Sequence, residues 1–444
     1  MQCEVIVVGG GIGGLTVAAM LAARGIDVCL FERQSHAGGC VANFEHLGQS
    51  FDPTFGLYSG WETGGVWQRV FAKLPVGPPQ VTELEPNFVV RLPDGKDVTV
   101  STDIQALELN IAVAFPACAN EAVKFIRAMI DGRDRETLQL LKNSSDNFRS
   151  FIDAQLAFLA QGTVDSLSES RTVAALRGAV AKMWQINGGA QSLADSLATG
   201  LTQSGGRLRL NSPVLRLAYD DEGKPSGVDL LSGERVTATR AIVSNLTAWD
   251  TYGKLVGLSR TPSPISTALK RMSGWGVYQV FILIDEAAVA RLPALRIVCA
   301  SLVQDTSAPV PHMMLNISSH DSSELTKRTA TLTTFTHVDD WFSFHEDSSW
   351  HEEQDQATLE KVWMRLHEAV PEIAGSAEVF ETATPQTYYE SVRRKMGMIG
   401  SPTSVASAVT PFKNLFLIGD TAASGIGFAG VAEAAERVVD CIIT

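Results

Sequence analysis

The sequence predicts an α/β fold in which one parallel sheet is assembled from separated pieces of chain and an α+β domain is inserted between them. Three observations predict it. Residues 3–25, "CEVIVVGGGIGGLTVAAMLAARG", run from an apolar strand through a glycine loop into a small-residue helix. Residues 415–439, "LFLIGDTAASGIGFAGVAEAAERVV", repeat that design near the other end of the chain. Between them, helical spacing at three and four gives way to strand-like runs and turn signals.

The first unit opens on "VIVV", residues 5–8, a continuous apolar run suited to a buried parallel strand. Gly9, Gly11 and Gly14 then occupy the GxGxxG positions, with Ile12 and Gly13 between them. Gly9 permits the tight turn, Gly11 leaves room for a pyrophosphate, and Gly14 lets helix and strand approach. Gly25 suits the helix C-terminus. The next strand, "DVCLFE", ends at Glu32, whose carboxylate can accept from ribose hydroxyls and would repel a 2′-phosphate. Together these features read as a Rossmann-like dinucleotide fingerprint. Beyond Arg33, the pair Gly38-Gly39 allows a second close backbone approach, as a longer cofactor would need.

At "ERQSHAGGC" the chain resembles the FAD-dependent amine-oxidase and phytoene-desaturase superfamily, whose N-terminal pattern is a Rossmann fingerprint, an acid and a Gly-Gly. "GGCVANFEHLGQSFDPTFGLYSG", residues 38–60, is similar to its branch of phytoene desaturases, carotenoid isomerases and retinol saturases. Two positions depart from the pattern: Cys40 stands where many members have Arg, and Pro53-Thr54 where the branch has a small residue and Gly. The resemblance spans essentially the whole chain and is specific at the cofactor segments.

It implies a discontinuous FAD-binding domain in three parts, residues 1–100, 186–245 and 383–444. A helical cap over 101–185 and a substrate domain over 246–382 are inserted between them. Residues 186–217 resemble a second signature: Gly188-Gly189 start a helix, Gly205-Gly206 end it, and "RLRLNSPVLRL" reads as one half-buried alternating strand. By resemblance, Val214 meets the adenine edge through its backbone. Turns at 220–223 and 232–233 continue the segment as strands to Asn245.

In the last unit, Gly419 ends the strand, and the resemblance implies that Asp420 bonds the ribityl chain of FAD; a carboxylate suits a row of hydroxyls. Gly425, Gly427 and Gly430 let backbone pass close to a flat ring. A helix from about Phe428 buries Val431, Ala434, Ala435, Val438 and Ile442, and the partial positive charge of its N-terminus suits a reduced flavin anion. The two glycine loops therefore hold two parts of one cofactor, FAD.

Composition limits the remaining choices. The 444 residues are 45% hydrophobic and 19% charged, and the net charge of -13 repels phosphate backbones, so no nucleic-acid partner is expected. The six cysteines form no CxxC pair, which reads as a reduced, cytoplasmic protein. No apolar run reaches the roughly 18 residues of a spanning helix; a peripheral membrane contact through one apolar patch stays open. "HEDSSWHEE", with His345, Glu346, Asp347, His351, Glu352 and Glu353, lacks HExxH spacing and reads as a loop with an acidic helix start, so no metal is expected.

The expected activity is FAD-dependent oxidation of carbon–carbon bonds, a desaturation, in an apolar isoprenoid or polyene-like small molecule. Oxidation of an amine or specialised metabolite, redox-neutral isomerisation, and a flavoprotein-like scaffold without chemistry are the alternatives. No carboxylate or aromatic cage for a cationic amine is apparent. Tyr388, Tyr389, Arg393, Arg394 and Lys395 stand near the last strand, and none is identified as catalytic. The oligomeric state is not specified.

Overall fold

The computed structural model describes the chain except residues 273, 293, 300–307, 319–325, 343–347, 400–408 and 423–425. The first strand, β1 (Gln2–Val8), leads through the glycine loop into α1 (Ile12–Ala22) and on to β2 (Val28–Phe31). Every residue of α1 is buried, which explains its small side chains. A six-to-one bond from Ile26 N–H to the Leu21 carbonyl and a bond from Gly25 to Ala22 close the helix, with Gly25 left-handed at φ +79°.

After β3 (Phe88–Arg91) and β4 (Asp97–Val100) come five helices, α2 (Ile104–Ala114), α3 (Ala119–Ile130), α4 (Asp134–Lys142), α5 (Asp146–Ala160) and α6 (Glu169–Val180). Asp103, Ser145 and Ser168 cap α2, α5 and α6 by accepting first-turn N–H bonds. Then follow α7 (Gly189–Gln203), β5 (Arg207–Arg209), β6 (Val214–Tyr219), β7 (Pro225–Leu230) and β8 (Arg235–Ser244). The inserted region supplies β9 (Gly276–Asp285), β10 (Leu295–Val298), β11 (Met313–Ile317), β12 (Lys327–Thr336), α8 (Ser348–Ala369) and β13 (Ala377–Ala383). The chain closes with α9 (Pro385–Val392), β14 (Leu415–Leu417) and α10 (Gly427–Ile443).

Two seven-stranded sheets carry the fold. In the first, the order is β6-β7-β8-β1-β2-β5, and β14 pairs with β8. Its centre is parallel: Val8 lies opposite both Phe31 and Ser244, and Ser244 opposite Leu417. Thus both ends of the chain meet at one sheet end. The second sheet runs β13-β9-β12-β11-β10-β3-β4. Its inner face shares a core with α2–α6, and its outer face packs on α8.

The expected single strand over 207–217 is instead two. Asn211, at φ +51°, and Pro213 break it, because proline has no N–H for a ladder and Asn tolerates the left-handed region. The pieces join opposite ends of the first sheet's strand order. The residues between them span at most about 17 Å, so the sheet must curl. A second correction concerns the segment 1–100. Its last strands, β3 and β4, pair through β10 into the second sheet, since Phe88, Val90, Val98 and Val100 are needed in the core under the helices.

Candidate functional site

Helix α1 begins on Gly11 with no side-chain cap and no acid in its first turn. Its first N–H groups therefore point at an unclaimed site, with the positive end of the helix behind them. Gly9 makes the turn at φ +98°. A Cβ on Gly14 would lie 2.1 Å from the Gly9 carbonyl oxygen, so strand and helix meet as closely as the motif requires. Gly11 and Gly13 have a further reason. A Cβ there would come within 2.6 Å and 2.7 Å of the Asn245 side-chain amide.

Asn245 is the residue that sequence reasoning passed over. It follows β8, donates its backbone N–H to the Val8 carbonyl at 2.8 Å, and stands 3.5 Å from where a Gly419 Cβ would be. It thus joins the first glycine loop to the last. Its position, one residue beyond an apolar strand that runs parallel to β1, was the available signal.

Glu32 is buried just beyond β2. Its Oε2 accepts from Gly10 N at 2.7 Å and Oε1 from Gln34 N at 2.8 Å. Each oxygen keeps lone-pair capacity for a hydroxyl. Gly38 donates to the Gly10 carbonyl at 2.8 Å, and a Cβ on Gly39 would lie 3.3 Å from Gly11 Cα. The glycine pair and the first loop are therefore one surface. Val214 opens β6, two residues after Ser212, whose N–H donates to the Glu32 carbonyl. Arg33 is exposed and donates to the Ser391 carbonyl at 2.7 Å.

At the opposite end, α10 also starts without a side-chain cap or first-turn acid. Gly427 has φ +60° with open space where a Cβ would be. Phe428 stacks on Tyr58 at 5.5 Å, and Val431 packs against Gly13, which brings α10 onto α1. Gly419, at φ +123°, precedes Asp420, whose Oδ2 is held by Arg394 Nη2 at 2.7 Å. So the structure gives Asp420 a protein cation that the sequence reading did not foresee. Gly425 lies outside the described residues.

Between α10 and the second sheet sits Asp52. It accepts from Thr54 N at 3.0 Å, from the Tyr58 hydroxyl at 3.1 Å and from Asn316 Nδ2 at 3.2 Å. Burial pushes its carboxyl upward, and these bonds act in the opposite sense. Sequence reading did not single out Asp52, which Thr54, Tyr58 and Asn316 hold by hydrogen bonds. Phe44, Phe55, Leu57, Trp275, Ile399 and Ile426 are partly buried against the inner core. Tyr388 donates to Gln279, which itself reaches the Pro53 carbonyl, so this tyrosine is engaged structurally. Arg393 lies against the Tyr389 ring and Lys395 against Trp249. Residues 345–347 of the acidic stretch lie outside the described residues. Among the described residues no three His, Cys, Asp or Glu are grouped to hold a metal.

The donor set fits FAD. Uncapped amides suit a pyrophosphate, the Glu32 carboxylate suits ribose hydroxyls, and the Gly10–Gly38 surface lies between them. The uncapped start of α10 offers a second, separate dipole at the other end.

Comparison with known proteins agrees. The profile of a family described as flavin containing amine oxidoreductase matches residues 12–443. Prolycopene isomerase 1, chloroplastic, of an Oncidium hybrid cultivar is 23% identical, over 97% of this chain and 82% of that protein. Phytoene desaturase (neurosporene-forming) of Rhodobacter capsulatus is 25% identical, over 56% of this chain and 54% of its own. Among solved structures, an oxidoreductase from Methanosarcina mazei superposes with a TM-score of 0.74 at 16% identity, covering 99% of this chain and 100% of that one, a likeness of fold.

Proposed function

The chain belongs to the flavin-containing amine oxidoreductase family and uses FAD, and from that premise we propose that it oxidises carbon–carbon bonds of an apolar isoprenoid or polyene-like substrate. The observation that carries this reading is the apolar wall between α10 and the second sheet. Phe44 stacks on Phe281 of β9, Phe55 and Trp275 lie against Phe335 of β12, and Ile426 directly precedes α10, all of them only partly buried. Such a wall suits a hydrocarbon and excludes water.

Bound FAD supplies two-electron redox chemistry at its ring. The chain's residues position and desolvate the substrate around it. The half-buried Phe428 ring, backed by the buried Tyr58 on which it stacks, lies beside the start of α10 and can contact a conjugated chain. Asp52 is saturated with protein hydrogen bonds and has a buried arginine, Arg296, within electrostatic range. That arrangement is poor for an ammonium group, which disfavours amine oxidation.

A second reading is redox-neutral isomerisation, favoured by the isomerase relative that covers nearly the whole chain. One experiment separates the readings. Oxidised holoenzyme is mixed without oxygen with a panel of isoprenoids, polyenes and primary amines, and its visible band near ~450 nm is followed. Bleaching within one turnover by a polyene or isoprenoid supports desaturation. Product that forms only after prior reduction, with the band still bleached, establishes isomerisation. Faster turnover of amines overturns the apolar-substrate reading.

A further inference from the structure

Two arginines are buried in adjacent strands of the second sheet and are settled in opposite ways. Arg91 on β3 is 6% exposed; it gives Nε to Asp97 at 2.7 Å and Nη1 to Glu372 at 2.8 Å, with the Ala369 carbonyl at 3.3 Å. Arg296 on β10 is 8% exposed and has no hydrogen-bond or ion-pair partner among the described residues. A guanidinium carries five donors and a permanent charge, and burying it unpaired costs several kcal/mol.

Backbone geometry puts it there. Leu295 pairs with Val89 and Ile297 with Val90, so β10 carries one extra residue, Arg296. Leu295 belongs to the outer core and Ile297 to the inner one. Bulges of this kind re-aim a side chain and cluster beside active sites. The Asp52 carboxylate acts electrostatically on Arg296, whose pKa burial draws down to about 10, leaving it charged at neutral pH. On the same inner face, Asn316 Oδ1 and both ring nitrogens of His312 lack partners among the described residues.

Arg296 as a plain counter-ion for Asp52 does not account for this. A structural pair in low dielectric closes to contact, as Arg91 does with its two acids, and Arg296 leaves all its donors unused. Asp52 meanwhile takes its hydrogen bonds from Thr54, Tyr58 and Asn316.

We propose that Arg296 binds a carboxylate of the substrate, which makes that substrate an apolar acid: a hydrocarbon body ending in one carboxyl group. The planar fork of guanidinium matches a carboxylate in bidentate fashion. One guanidinium offsets one charge, whereas a phosphate brings nearly two and would leave the excess beside Asp52. A neutral hydroxyl end would leave the guanidinium donors without a charged acceptor. The proposal rests on the apolar-substrate reading above and supplies its polar end.

The test titrates FAD-loaded enzyme with two probe pairs, farnesoic acid against methyl farnesoate and benzoate against benzamide, read by perturbation of the visible flavin spectrum. Each acid is expected to bind roughly ten- to hundredfold more tightly than its neutral partner, the scale of hydrogen bonds between charged groups. Arg296→Gln is expected to erase that preference and Arg296→Lys to retain part of it. Wild-type enzyme without acid preference in either pair overturns the proposal, as does Arg296→Gln with the preference intact. Equal binding of the two farnesyl compounds sinks the acid subsite and keeps the apolar reading. A benzoate preference with no binding of either farnesyl compound does the reverse, and no binding by any probe sinks both. If Arg296→Gln fails to retain FAD, the wild-type ratios and Arg296→Lys decide.

Discussion

On the outer face of the second sheet, Tyr278 donates to Asp355 at 2.6 Å and Arg91 is held by Asp97 and Glu372. On the inner face, among the described residues, the His312 ring nitrogens and the Asn316 carbonyl oxygen are buried without partners, and the mostly buried Arg296 has no hydrogen bond or ion pair. The same sheet thus presents two kinds of buried polarity. Outside, Tyr278 and Arg91 are satisfied by α8, by the turn after it or by the next strand, which stabilises the fold, although His351 Nδ1 on α8 lacks a partner among the described residues. Inside, polar groups carry a desolvation cost that folding does not return. An unpaired buried donor is costly unless something else arrives to accept, which is what the proposed acid subsite would supply.

Four changes would sharpen or break that contrast. The largest effect is expected from Arg91→Ala, which leaves Asp97 and Glu372 without their cation; denaturant unfolding should show a loss of about 2–4 kcal/mol. A loss under about 0.5 kcal/mol would mean the outer face is no better settled than the inner one.

His312 comes next. Burial lowers its pKa to about 4, below the unfolded value of about 6.5. The unfolded chain therefore takes up this proton first as pH falls. The His312 contribution is intact above pH about 6.5 and is lost progressively toward pH about 4, by about 3 kcal/mol. His312→Leu should remove that part of the acid sensitivity. Identical slopes of stability against pH in the two proteins would show that the ring is solvated after all.

Arg296→Met should raise stability by about 1–2 kcal/mol in the absence of substrate, because a methionine fills the space without a charge to desolvate. A loss comparable to that of Arg91→Ala would make Arg296 a structural residue and dissolve the contrast. The smallest change is Tyr278→Phe, with an expected loss of about 1 kcal/mol for one hydrogen bond. Asp355 keeps Thr382 as a donor at 2.7 Å, which holds the effect down.

Much of the cofactor side was legible. Gly9, Gly14, Glu32, Gly38 and Gly39 sit where a strand–loop–helix pattern places them, and the apolar spacing of α10 gives Val431, Ala434, Ala435, Val438 and Ile442 as its buried stripe. These are local properties. A glycine's freedom and a helical period act over a few residues and are written in consecutive letters. Residues 207–217 were harder, because an alternating run looks continuous even where Asn211 and Pro213 send its halves to different sheet ends.

The long-range pairings were not legible. Asp52, Asn245 and Arg296 are ordinary letters in their own neighbourhoods, and each acquires its role from a partner far away in sequence. Asn245 reaches the first glycine loop only because β8 lies parallel to β1 in one register. Arg296 faces inward only because β10 takes one more residue than β3 across from it. By itself, then, the sequence determined the sheet that carries FAD, its glycine turns and its terminal helix, since short-range sterics and periodicity suffice for these. The tertiary structure alone decided which charges are buried, which are paired and which are left waiting, since pairing depends on strand register and on what else packs against the same face.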